Sequence, residues 1–163
     1  MTQALILDPE LRGQTSVVCK QKCHMLIRTI YVSHSTAPLP LELKEILAVS
    51  RKNNPGRGIS GAMCFLDGVY LQFLEGEASV VDGLYQKIEQ DPRHTHIKML
   101  VHEPIAQREY PQWSMALLTW NDEMKAIFSR LNPNSARDLY MADPATVAAL
   151  LREWAGTNNW LTV

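Results

Sequence analysis

Asn53-Asn54-Pro55-Gly56-Arg57-Gly58-Ile59-Ser60-Gly61-Ala62-Met63-Cys64-Phe65-Leu66-Asp67-Gly68-Val69-Tyr70-Leu71-Gln72-Phe73-Leu74-Glu75-Gly76 is the stretch that decides the fold. It reads as a helix end, a turn, a strand, a two-residue hairpin and a second strand. Asp67-Gly68 lies between two apolar runs, and both residues tolerate the positive φ that a tight hairpin needs. Asn53 and Asn54 close a helical pattern just before Pro55-Gly56. Gln72 stands apart. Its amide has two donors and two acceptor lone pairs, yet Leu71, Phe73 and Leu74 surround it in the strand. Burying an amide without partners is costly, so Gln72 points either at solvent or at something polar held inside.

Outward toward the N-terminus, Leu39, Leu43, Ile46 and Leu47 recur at helical spacing, with Pro40 in the first turn. Met25 to Ser33 is β-branched-rich and reads as strand one, with Ile27, Thr29, Tyr31 and Ser33 on one face. Residues 1–24 show no periodicity and read as an irregular extension. Cys19, Cys23 and His24 lack the second Cys/His pair that a structural metal site requires.

Toward the C-terminus, Tyr70, Gln72 and Leu74 share a face of strand three. Val80, Val81, Leu84, Tyr85 and Ile88 form the stripe of a second helix, over about 78–91, that Pro92 stops. Ile97 to Glu103 reads as strand four. A polar connection follows, and then strand five over Trp113–Trp120, with Trp113, Met115 and Leu117 on one face. Met124, Ile127, Phe128 and Leu131 fit a short amphipathic helix. Asp143-Pro144 reads as cap and first turn of another, with Val147, Leu150, Leu151 and Trp154 as its stripe and Gly156 as its end.

The order β-α-β-β-α-β with one extra strand predicts an α+β, ferredoxin-like arrangement: an antiparallel sheet with both helices on one face. The other face needs cover. The C-terminal helices either lie on that face or make a dimer contact. The expected division is an extension over 1–24, a ligand-binding domain over 25–118 and a helical tail over 119–163.

Composition narrows the function. Hydrophobic residues make up 46% and charged residues 20%, enough for an ordinary core. A net charge of −1 supplies no basic field for nucleic acid. No apolar run approaches membrane-spanning length. Met1–Leu7 lacks a basic lead, which makes the cytoplasm the expected location.

The fold would leave a slot between the two helices. Tyr31 and Gln72 are placed to point into it, with Asn53 and Asn54 at its rim, Lys87 and Asp91 from helix two, and Arg93 and His94 just beyond. Each has a dull reading alone: core tyrosine, helix cap, solvated ion pair. Together, two amides, a phenol and a lysine suit a flat, amide-rich ligand. A nucleophile/base pair or an anion cradle does not stand out, which ranks a small hydrolase last.

Arg28-Thr-Ile-Tyr31-Val-Ser33, Asn53-Asn54 with Gly58-Ile-Ser-Gly61, Tyr70-Leu-Gln72-Phe-Leu-Glu75-Gly76, Asp91-Pro-Arg93-His94 and Trp113-Ser-Met115 occur in that order over about residues 25–118. This succession resembles the BLUF domain, the sensors of blue light using FAD. The resemblance implies a non-covalently bound flavin, usually FAD, between the helices. It makes Tyr31 the photoactive tyrosine and Gln72 the switching glutamine. Asn53, Asn54, Lys87, Asp91, Arg93 and His94 become flavin-site residues, and Trp113 and Met115 the pair tied to signal output. Lys87 is commonly arginine in related sequences, so a point charge replaces a planar fork. Trp113 has a second reading, as a core aromatic of strand five. The implied function is light sensing without catalysis, with self-association and a signalling protein as partners. A light-independent flavin or small-ligand module on the same fold is the alternative.

Overall fold

The computed structural model describes residues 25–36 and 41–161. The extension over 1–24, with Cys19, Cys23 and His24, and the first-turn residues Leu39 and Pro40 lie outside the described residues. The elements run β1 (Leu26–Ser35), α1 (Leu41–Asn53), β2 (Ser60–Leu66), β3 (Val69–Glu77), α2 (Ala78–Glu89), β4 (His94–Ile105), β5 (Ala116–Leu118), α3 (Asp122–Leu131), α4 (Val147–Ala155) and β6 (Trp160–Leu161). One sheet has the order β4-β1-β3-β2-β5-β6. Its neighbours are antiparallel except β2 and β5, which are parallel. The four strands β4-β1-β3-β2 form the expected ferredoxin-like sheet.

The hairpin that organises the chain forms as its sequence dictates. Asp67 and Gly68 take φ of 49° and 78°, and Leu66 pairs with Val69. That register places Gln72 opposite Tyr31 on one side and Met63 on the other.

Two cores sit on the two faces. Ile27, Tyr31, Met63, Tyr70 and Leu74 face forward and pack with Ile46 and Leu47 of α1 and Val81 of α2. Ile30, Val32, Cys64, Leu71 and Phe73 face the other way and pack with Met124 and Phe128 of α3 and Leu150, Leu151 and Trp154 of α4. The C-terminal helices therefore cover the second face of their own sheet. Asn121 caps α3, its side chain accepting from the Met124 N–H at 3.0 Å. Trp154 is fully buried, and its indole N–H donates to the Met124 carbonyl at 3.2 Å, which joins the two helices.

Several boundaries differ from expectation for identifiable reasons. β4 is longer than Ile97–Glu103 and takes in His94 and Pro104. It is an edge strand, where a residue without an N–H is tolerated. α2 stops at Glu89, because Asp91 turns to bond the Arg93 backbone at 3.0 Å. α4 begins at Val147, not beside Pro144. The Asp143 carboxylate accepts from the Ala145 N–H at 2.8 Å and holds a turn ahead of the helix. Strand five shrinks from Trp113–Trp120 to Ala116–Leu118, and β6 was not anticipated.

If α4 holds the second face closed, Trp154→Ala should cost about 3–5 kcal/mol in urea unfolding followed by circular dichroism. A cost below about 1 kcal/mol would mean the helix only rests on the surface.

Candidate functional site

A cleft of about 250 Å³ opens between α1 and α2. Ile46 and Val49 of α1 and Leu84 and Ile88 of α2 give it apolar walls, and Gln72 reaches it from the sheet. Asn53, Asn54, Lys87, Asp91, Arg93 and His94 line it as well. Sequence reasoning missed Ser50 and Arg57, which complete the lining. Ser50 precedes Asn53 by one helical turn, a spacing that would have found it. Arg57 depends on the short 3₁₀ turn Pro55–Arg57, which a helix stripe does not reveal.

Tyr31 is not part of the lining. It lies behind Gln72, fully buried, with Tyr85 edge-on at 5.4 Å between ring centroids. Its hydroxyl donates to Gln72 Oε1. Burial raises the phenol well above its usual 10, and Tyr85, Asp91 and Tyr70 push the same way. Tyr31 is therefore a neutral donor throughout the working pH range. At the other end of the amide, Gln72 Nε2 lies 3.8 Å from Met115 Sδ. The buried glutamine thus faces inward with both ends engaged.

The polar end of the cleft is fixed by local chemistry. Arg93 makes a bidentate pair with Asp91, with Nε to Oδ1 at 2.9 Å and Nη2 to Oδ2 at 2.5 Å. Bonding to Arg93 holds the Asp91 carboxyl down at about 2. Asp91 has left the helix, so its partner is Arg93 rather than Lys87, which is solvent-exposed. His94 is 9% exposed, and its Nδ1 lies 2.8 Å from Ser33 Oγ. Burial lowers its pKa below 6.5, only partly opposed by Asp91.

The expectation that Trp113 and Met115 share a face is overturned. Met115 is buried in the forward core beside Gln72, whereas Trp113 packs against the rear core. Trp113 stacks on Tyr110 at 4.3 Å between centroids and meets Trp160 of β6 at 4.6 Å. The reason is that this segment is not a strand. Three successive carbonyls are taken by different donors: Trp113 O by Gly61 N at 2.8 Å, Ser114 O by Asn54 Nδ2 at 2.7 Å, and Met115 O by Arg51 Nε at 3.0 Å. Asn54 commits its amide nitrogen there and keeps Oδ1 as an acceptor. Gly61 permits the approach, since a Cβ there would sit 2.7 Å from the Phe73 carbonyl and 3.1 Å from Met115 Cε.

A buried ion pair anchors the approach to this segment. Arg28 Nη2 bonds Glu75 Oε1 at 2.9 Å and Glu109 Oε2 at 2.5 Å. Glu75, fully buried, also accepts from the Glu109 backbone N–H at 2.7 Å. Losing one partner of such a pair is strongly destabilising, so the β4–β5 connection is held firmly where it enters the sheet.

The donor set fits a flavin. Apolar walls suit a flat ring, amide groups at Gln72 and Asn54 suit its polar edge, and Arg57 and Lys87 supply positive charge. A ferredoxin-like sheet with an amide-lined cleft between its helices, Gln72 on its floor and Tyr31 behind it, defines a small-ligand-binding module.

Comparison with known proteins gives that class a family. The family model "BLUF: Sensors of blue-light using FAD" matches residues 26–116, and the chain belongs to this family of flavin-binding blue-light sensors. It is 36% identical over 141 residues to a photoactivated adenylate cyclase subunit beta of Euglena longa, covering 82% of this chain and 16% of that one. The corresponding subunit of Euglena gracilis is 35% identical over the same length, again with 16% of its chain covered. The chain therefore spans only a small part of these relatives. Among solved structures, BlsA in its photo-activated state matches with a TM-score of 0.75 at 28% identity, over 83% of this chain and 98% of BlsA. The dark state of BlrB, a BLUF protein, matches with a TM-score of 0.67 at 28% identity, over 82% and 98%. Among the described residues, no helix is long and apolar enough to cross a membrane.

His94 makes stability depend on pH. The unfolded chain titrates this group near 6.5 and the folded protein titrates it lower, so the unfolded state binds more protons in between. Its contribution is complete above 6.5 and is lost as the pH falls through the folded value. Melting temperatures measured from about pH 7 down to about pH 5 should drop less in His94→Gln than in the parent protein.

Proposed function

We propose that this chain senses blue light through FAD held non-covalently in the cleft between α1 and α2, with Tyr31 and Gln72 as the photoactive pair. The observation that carries this reading is the buried relay itself, from the Tyr31 hydroxyl to Gln72 Oε1 and from Gln72 Nε2 to Met115 Sδ. Asn53, Asn54, Lys87, Asp91, Arg93 and His94 hold the flavin. Arg57 joins Lys87 as a cation suited to its phosphates.

Bound there, the flavin supplies the blue-light absorption and an acceptor for one electron. Tyr31, kept neutral by burial, can donate an electron and then its hydroxyl proton, and Gln72 Oε1 is the group in place to accept that proton. Gln72 suits a switch because its two ends have opposite hydrogen-bond character. Rotation or tautomerisation exchanges the groups it serves, and each mispaired group in a dry pocket costs about 1–3 kcal/mol. Met115 loses its contact with the amide N–H when Gln72 turns. Output then passes through the segment that holds Met115 and Trp113 to the C-terminal helices, and from there to a protein partner in the cytoplasm or to a second copy of the chain. The cyclase relatives are consistent with a sensor that acts on an effector. The chain itself acts as a sensor and not as a catalyst.

The test is an absorption spectrum of purified protein in the dark, under blue light and during dark recovery, with the extracted flavin identified. A flavin spectrum that moves slightly to the red and returns supports the reading, and Tyr31→Phe should abolish the shift while flavin stays bound. A bound flavin that does not respond favours the light-independent module. Protein that stays colourless after reconstitution with FAD removes the cofactor proposal.

A further inference from the structure

Arg51 occupies the last turn of α1, three residues before Asn54. A cation there is favoured by the helix dipole, but its guanidinium is engaged elsewhere. Nε donates to the Met115 carbonyl at 3.0 Å, and Nη2 donates to the Leu161 carbonyl at 2.9 Å. One planar fork thus joins two distant parts of the chain. The first is the residue whose sulfur touches Gln72. The second is β6, on the sheet edge.

β6 is well placed to respond. Among the described residues it spans two positions and pairs only with the three-residue β5, through Leu117↔Leu161 and Leu118↔Trp160. Its other holds lie upstream of Leu161. Thr119 bonds the Asn159 carbonyl, and the Trp160 indole N–H bonds the Trp154 carbonyl at 2.7 Å. Edge pairing this short, ending on an exposed Leu161, belongs to the low end of local stability. A single well-directed bond at Leu161 therefore matters more than it would in a long strand.

We propose that Arg51 is the positioning residue that ties β6 to the state of Gln72, an inference that rests on the switch described under Proposed function. With Gln72 Nε2 against Met115, the Met115 carbonyl is fixed and Arg51 spans both acceptors. When Gln72 turns, Met115 shifts and takes its carbonyl with it. The rigid fork cannot follow one acceptor and keep the other, so β6 loosens. Lysine, a point charge on a flexible stem, does not impose this geometry on two carbonyls at once.

The experiment uses the full flavin-loaded chain. Hydrogen exchange over residues 157–161 is measured in the dark and under continuous blue light, with absorption recorded on the same samples. In the parent protein, exchange at β6 should accelerate about five-fold or more on illumination. Arg51→Met keeps the packed stem and removes the donors. It should retain the red shift and exchange rapidly at β6 in both dark and light. Arg51→Lys should restore part of the light–dark difference, and it provides the comparison if the methionine variant fails to fold. Light-independent exchange at β6 in a parent protein that shows the red shift overturns the proposal. So does a full parental difference in Arg51→Met or Arg51→Lys. Absence of the red shift itself overturns the sensor reading, and the proposal with it.

Discussion

The rest of the structure depends on the need to satisfy a buried primary amide. Gln72 is 3% exposed in the middle of a strand flanked by apolar residues, so both of its ends require partners from within the fold. The hairpin register supplies one by bringing Tyr31 directly opposite. The other comes from a residue more than forty positions later, Met115, at a weak thioether acceptor. A phenol donor at Oε1 and a soft thioether acceptor at Nε2 leave the amide buried but unequally held.

The segment before β5 is irregular because three donors from elsewhere in the chain take its carbonyls. A regular strand there would place residues 113 and 115 on the same face and give their carbonyls to a ladder. Instead, Gly61, Asn54 and Arg51 capture the three carbonyls in turn, and the chain rotates so that Trp113 faces the rear core while Met115 faces the forward core. The segment thereby touches both faces of the sheet within three residues. The Arg28–Glu75–Glu109 cluster ties its upstream end to β1 and β3.

Local signals were legible in the sequence. Asp67-Gly68 specified the hairpin, period-two alternation specified the faces of β1 and β3, and helical stripes located α1 to α4. The site residues were legible as a set because the hairpin and the helix ends fall close together in sequence. What was not legible depends on distant partners. Trp113 and Met115 could be assigned faces only by assuming a strand, and the donors that prevent one are on α1, just beyond its end and on β2. Two-residue β6 has no periodicity to detect. Arg28 and Glu75 sit on strands whose alternation gives their shared face, but not their burial as a pair. Arg57 was hidden in a turn whose shape depends on Gly58 at φ 66°.

The strict alternation of β1 has a consequence for how the sequence can drift. Ile27, Tyr31 and Met63 belong to one core, while Arg28, Ile30 and Val32 face the other side. Inserting or deleting one residue within β1 or β3 would reverse every side chain beyond it, sending Arg28 or Glu75 toward the cleft and Tyr31 or Gln72 away from it. A one-residue change of length within β1 or β3 would therefore take the cleft apart, whereas a substitution there alters one contact at a time.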